Sequence, residues 1–158
     1  MRRLLVLIPL AILSVSLFFS PAECGDRGFA SNFTLQDTNK ETVTLGDYKD
    51  KQAVLLLFWT TWCPYCRDEL RQLKDMRGEP ANDGLEIFAV DVGESFNKVN
   101  NAIKSYLLNY KVLLDQDKSV ARSFGVSGVP TYVLIDQKGN IVFKDNYFPQ
   151  EYKSLIVE

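Results

Sequence analysis

The chain has 158 residues, 46% of them hydrophobic and 24% charged, with a formal charge of −2. This is about one domain of globular material, too apolar for a disordered chain and without the positive charge expected of a nucleic-acid binder. It contains three Cys and no His, which excludes Ser-His-Asp and Cys-His catalysis, His-ligated metals and a four-thiolate zinc site.

Arg2 and Arg3 precede an apolar run from Leu4 to Phe19, followed by Ser20-Pro21-Ala22. A basic tip, an apolar centre and small residues before a cut predict a secretory signal over residues 1–22, cleaved after Ala22. The run carries Pro9, Ser14 and Ser16 and is shorter than the roughly 20 apolar residues of a spanning helix. The alternative is an uncleaved anchor. Residues 23–158 then form a single exported domain, in the periplasm or on the outer face of a bacterial cytoplasmic membrane. Cys24 follows the predicted cut, but Glu23 stands before it where lipidation needs a small residue, so it reads as an incidental thiol. Thiols in that compartment tend to be oxidised, so Cys63 and Cys66 are expected to form a structural disulfide or a redox-active pair.

Phe33-Thr34-Leu35 and Thr42 to Leu45 flank Asp37-Thr38-Asn39-Lys40, predicting a hairpin with a polar turn. Ala53 to Trp59 is nearly continuous in Val, Leu and aromatics and predicts a strand buried on both faces. A helix is predicted from about Cys63, with Pro64 in its first turn, Leu70, Leu73 and Met76 facing the core, and Gly78 and Pro80 ending it. Leu85 to Val92 predicts a second buried strand. Val99, Ala102, Ile103, Tyr106 and Leu107 recur at helical spacing between Ser95 and Asn109. A short strand over Val112 to Leu114 and a short helix capped by Asp117 and ending near Phe124-Gly125 follow. Strands over Thr131–Ile135 and Ile141–Phe143 enclose a turn, and a last helix spans Glu151 to Val157. The alternation predicts an α/β sandwich on a mixed sheet.

Trp62-Cys63-Pro64-Tyr65-Cys66 carries the chemistry. Two Cys separated by two residues at a helix start can bridge within one turn. The first then lies where unpaired N–H groups and the helix dipole favour a thiolate. Cys63 is the candidate nucleophile and Cys66 the candidate resolving thiol. A purely structural bridge over so short a loop would add little stability.

The stretch from Phe58 to Glu69, with Asn32 to Leu35 upstream and Leu113-Leu114-Asp115 and Gly125 to Thr131 downstream, resembles the extracytoplasmic thioredoxin-like proteins of the TlpA/ResA group. Leu134-Ile135-Asp136 and Gly139 extend the likeness, which covers nearly all of residues 30–145. The resemblance implies a thioredoxin fold, a mixed central sheet flanked by helices, with an N-terminal β-hairpin and a central helix–strand insertion. It implies thiol–disulfide exchange with protein substrates, which Trp62, Val129 and a cis Pro130 would receive. The added peptide would pair as a strand beside Val129. It also implies that Glu69 relays a proton for the cysteines; a solvated helix acid is the plainer reading of that position. Thioredoxins proper bury an Asp six residues before the first active Cys, where this chain has Leu57. Arg71 stands where the group tends to have Pro.

The expected activity is a protein thiol-disulfide oxidoreductase of the cell envelope. It would be a reductase serving apocytochrome c, recharged by a membrane thiol oxidoreductase, needing no cofactor beyond its redox-active disulfide, no metal and no nucleic acid, and acting as a monomer. A thiol peroxidase is the second reading, since Thr60 lies three residues before Cys63; the Pro that such a motif wants is Leu56 here. A non-enzymatic Cu(I)-binding module is the third. The sequence leaves the direction of electron flow open.

Overall fold

A seven-residue strand with every side chain buried, Ala53–Trp59, is the centre of the molecule. Alternation sends Ala53, Leu55, Leu57 and Trp59 into one apolar layer and Val54, Leu56 and Phe58 into the other. Such a strand is stable only inside a sheet covered on both faces. The computed structural model describes residues 28–76 and 83–156. The predicted signal and cleavage site, Cys24, the helix stops at Gly78 and Pro80, and Val157 lie outside the described residues.

The strands are β1 (Thr34–Asp37), β2 (Thr42–Thr44), β3 (Ala53–Trp59), β4 (Leu85–Val92), β5 (Lys111–Asp115), β6 (Thr131–Ile135) and β7 (Ile141–Asp145). They form one mixed sheet in the order β2-β1-β5-β4-β3-β6-β7. β3, β4 and β5 run parallel, while β1 on β5 and β6 on β3 are antiparallel. Among the described residues the α-helices are α1 (Pro64–Met76), α2 (Phe96–Tyr106), α3 (Ser119–Ser123) and α4 (Tyr152–Ile156). Leu70 and Leu73 of α1, Val99 of α2 and Tyr152 of α4 cover one face of the sheet. Val120 and Ala121 of α3, with Phe124, cover the other beside Phe33 and Leu45. This is the thioredoxin fold, with β1 and β2 as its N-terminal hairpin and α2 with β5 as the inserted helix and strand.

The hairpin turns because Asp37 Oδ1 accepts the amides of Asn39 and Glu41 at 2.8 and 2.9 Å, a local side-chain bond that fixes a turn. Asp37 ends β1 as a buried residue, so the strand runs further than its apolar residues suggest. β7 likewise extends to Asp145.

The helix expected between Ser95 and Asn109 is shorter, and one residue of its apolar stripe lies outside it. α2 stops at Tyr106, and Leu107 takes a left-handed conformation with φ of 53°. The change of backbone direction breaks the 3.6-residue period and turns Leu107 outward, 71% exposed. Val99 is fully buried, and Ile103 and Tyr106 pack against the core as expected.

Tyr110, between α2 and β5, ties the insertion to the site helix: its buried hydroxyl donates to the Leu70 carbonyl oxygen at 2.8 Å. Burial pushes this phenol's pKa well above its ordinary value, so it remains a donor. Tyr110→Phe should lower unfolding free energy by about 1 kcal/mol in urea titration, the net contribution of one buried hydrogen bond. An unchanged midpoint would show that the bond contributes nothing to stability.

Candidate active site

β3 ends at Trp59, and the turn Thr60-Thr61-Trp62 delivers the chain to the N-terminus of α1. Pro64 is the first helical residue, where its missing N–H removes no helical bond. Cys63 stands just ahead, its amide donating to Thr60 O at 3.3 Å. Its sulfur accepts the Cys66 amide at 3.1 Å, so a free backbone donor of the helix start points at sulfur. Such a donor favours the thiolate over the thiol when the pair is reduced. Cys63 and Cys66 form a disulfide, with their Cα atoms 5.3 Å apart. Cys66 is fully covered and Cys63 is 3% exposed, whereas Trp62 and Tyr65 stand out at 68% and 76%. Cys63 is thus the less covered of the two cysteines, and the exposed Trp62 and Tyr65 are its near neighbours in the chain.

The loop after α3 completes the site from a distant part of the sequence. The Val129–Pro130 peptide bond is cis, and the Val129 carbonyl oxygen lies 3.8 Å from Cys63 Sγ. The Thr131 hydroxyl donates to Gly128 O at 2.7 Å and closes this loop on itself. A groove of about 520 Å³ is lined by Trp62, Gly93, Lys98, Lys118, Gly128 and Val129 among others. It is open and mixed in polarity, and Val129, whose carbonyl oxygen lies near Cys63 Sγ, is part of its lining.

Glu69 is half-buried on α1, one turn after Cys66, and its Oε2 accepts the Tyr132 hydroxyl at 2.8 Å. Burial first, and then the Glu69 carboxylate, push the Tyr132 phenol far above its ordinary pKa. It therefore donates at any ordinary pH. The plainer reading of Glu69 as a solvated helix acid does not describe it, whereas its neighbour Asp68 is exposed and pairs with Arg71 at 3.3 Å. Tyr132 sits opposite Leu57 in the β3–β6 register. A phenol reaching across from β6 thus holds the Glu69 carboxylate.

Three polar residues at this site were invisible to sequence reasoning. Tyr132 looked like ordinary strand material, and only the antiparallel register of β6 on β3 aims it at α1. Asp91 and Glu94 belong to the Asp91-Val92-Gly93-Glu94 segment that closes β4. Both oxygens of the buried Glu94 carboxylate engage Thr61: Oε2 accepts its amide and Oε1 its hydroxyl. Lys98 pairs with the same carboxylate. An acid directly after a buried strand was the available signal, but its partner lies 33 residues away. Among the described residues, no group of three or more His, Cys, Asp or Glu could hold a metal ion, and no helix is long and apolar enough to cross a membrane.

Residues 28–144 match the AhpC/TSA family. The chain is 40% identical over 127 residues to the thiol-disulfide oxidoreductase ResA of Bacillus subtilis, which covers 80% of this chain and 70% of the relative. Among solved structures, it resembles the thioredoxin domain of a thiol-disulfide oxidoreductase from Bacteroides vulgatus, with a TM-score of 0.71 and 26% identity over 81% of this chain and 93% of that one. A thiol:disulfide interchange protein from a Bacteroides species gives 0.70 and 26% over 82% and 86%. With a CxxC disulfide at a helix start beside a cis-proline loop, and relatives of this identity and coverage, the chain belongs to the AhpC/TSA family as a thioredoxin-fold thiol-disulfide oxidoreductase of the ResA kind.

Proposed function

We propose that this enzyme is an exported protein disulfide reductase that keeps apocytochrome c cysteines reduced for haem attachment. The observation that carries the reading is the Cys63–Cys66 disulfide with the Val129 carbonyl oxygen 3.8 Å from Cys63 Sγ, Val129 and Trp62 being part of the lining of an open groove. That geometry admits a polypeptide, whereas a peroxide needs only a small closed pocket. Residues 1–22 are the export signal in this reading, and the protein works as a monomer without a bound cofactor.

The reduced enzyme acts through Cys63, whose thiolate attacks one sulfur of a substrate disulfide and expels the other as a thiolate. Trp62 and the Val129-Pro130 loop receive the substrate chain as an added strand. Glu69 takes the proton from the Cys66 thiol, and the resulting thiolate attacks Cys63 Sγ. The substrate's second sulfur leaves as a thiolate and is protonated, so two electrons have passed to the substrate. The enzyme is left as the Cys63–Cys66 disulfide, which a membrane thiol oxidoreductase reduces again.

Two measurements test the reading. Equilibration against defined glutathione or dithiothreitol couples should give a reduction potential near or below about −250 mV, and a value near −120 mV would make the protein an oxidant. Covalent capture in the native host should recover cytochrome c maturation components; a broad set of envelope proteins would replace the specific role with a general one.

A further inference from the structure

Glu69 is carried by its helix to the turn that holds Cys66. The two residues are three apart on α1 and so share a face, and a helical side chain leans back toward the preceding turn. A half-buried glutamate still has several rotamers, most of which turn its carboxylate away from any one target. What fixes it is Tyr132, whose hydroxyl donates to Oε2 at 2.8 Å. Among the described residues, no other hydrogen bond or ion pair engages the Glu69 carboxylate.

Tyr132 itself has little freedom. It is completely covered, in a strand paired on both sides, opposite Leu57 on β3 and Asp145 on β7. Its ring meets Phe148 edge to face at 5.9 Å, and Phe148 meets Tyr152 in the same way at 5.7 Å. It belongs to the apolar layer that also contains Cys63 and Cys66. A phenol keeps its proton at neutral pH, and an ionised carboxylate only accepts, so the bond has one direction. A rigid donor thus grips one oxygen of a movable acid and leaves Oε1 without a partner among the described residues.

We propose that Tyr132 is a positioning residue for the resolving step: by holding Oε2 of Glu69, it presents Oε1 to the Cys66 thiol. This rests on Glu69 as the proton acceptor for Cys66, proposed above, and is independent of the identity of the substrate. In the mixed disulfide the Cys66 proton passes to Glu69 Oε1, and the Cys66 sulfur attacks Cys63 Sγ. The bond from Cys63 to the substrate sulfur breaks, and that sulfur leaves with the electron pair. Two thiols of the enzyme are oxidised to a disulfide and the substrate disulfide is reduced. Tyr132 keeps its own proton throughout and acts only through Glu69.

The test is stopped-flow mixing of the reduced full chain with excess dithionitrobenzoate, in a Cys24→Ser background so that only Cys63 and Cys66 react. Thionitrobenzoate is released twice, once as Cys63 attacks and again as Cys66 displaces the second half from Cys63. Glu69→Gln should slow the second release about a hundredfold, the order expected for a lost general base. Tyr132→Phe keeps the ring and should slow the second release, relative to the first, about tenfold, because the acid remains but is no longer held. The double variant separates this role from packing. A packing role for Tyr132 would cost the same in both backgrounds, whereas a role through Glu69 predicts that Tyr132→Phe adds nothing once Glu69→Gln is present. Glu69→Asp provides a second route if Tyr132→Phe folds poorly: it keeps a carboxylate but withdraws it from the phenol by one carbon, and should slow the second release about tenfold as well. An intact second release in Glu69→Gln would remove the proton relay and the role of Tyr132 with it. A second release slowed by Glu69→Gln but not by Tyr132→Phe or Glu69→Asp would leave the relay standing and overturn the positioning role. A Tyr132→Phe loss of equal size in both backgrounds would do the same.

Discussion

Cys63→Ser should reduce turnover of a protein disulfide such as insulin to background, a loss on the order of a thousandfold or more, because the attacking sulfur itself is gone. Cys66→Ser should lose steady-state turnover to a similar extent while keeping its first attack, so that it accumulates as a mixed disulfide through Cys63. The asymmetry comes from geometry. Cys63 Sγ lies 3.8 Å from Val129 O and directly follows the exposed Trp62, whereas Cys66 is fully covered. A covered thiol can reach Cys63 within its own helical turn but cannot meet a protein substrate. Nonreducing gel analysis and mass spectrometry read the two variants directly. Adducts forming through Cys66 in Cys63→Ser, at the rate seen through Cys63 in Cys66→Ser, would reverse the roles. Neither variant should unfold easily, since a cross-link between residues three apart removes little chain entropy.

The chemistry was legible because it is local. The two cysteines, the proline between them and the apolar run before them are consecutive in the chain, and the spacing alone places one sulfur at a helix start. β3 and β4 were equally plain, their observed boundaries matching the predicted Ala53–Trp59 and Leu85–Val92, because a strand buried on both faces has little choice of residue. The cis bond before Pro130 was legible only through family resemblance, since a proline entering a strand is common in loops. What escaped was everything set by pairing between distant strands. Tyr132 meets Glu69 because β6 runs antiparallel to β3 in one particular register. Glu94 meets Thr61 because β3 and β4 end side by side. A shift of one residue would turn either side chain to the opposite face. Leu107 failed for the opposite reason: its spacing was helical, but a left-handed residue ended the helix one step earlier.

The short helix α3 shows the same limit and carries the largest expected effect on stability. Asp117 was predicted as its cap and does accept the Ser119 amide at 2.9 Å. The buried cap is Asp115, whose Oδ1 and Oδ2 accept the amides of Val120 and Ala121 at 3.2 and 2.7 Å. Its own carbonyl oxygen accepts the amides of Gly93 and Lys118 at 2.9 and 3.1 Å. One fully covered residue thus joins the end of β5, the loop after β4 and the start of α3. Asp115→Ala leaves two buried N–H groups without acceptors, each costing about 1–3 kcal/mol, and should destabilise the fold by about 3 kcal/mol. For a domain of this size that corresponds to roughly a 10 °C fall in Tm. Asp115→Asn, which retains one acceptor oxygen and the side-chain volume, should recover about half of the loss. Urea unfolding of the three proteins measures the series, and an Asp115→Ala loss below about 1 kcal/mol would show that water replaces the carboxylate. Function should follow stability here. The chain runs from α3 through Phe124, whose ring packs against Phe33 and Phe58, into the loop that sets the Val129 carbonyl beside Cys63. Loosening the cap should therefore slow attack on protein disulfides more than attack on a small aromatic disulfide, because only the longer substrate uses the Val129 backbone.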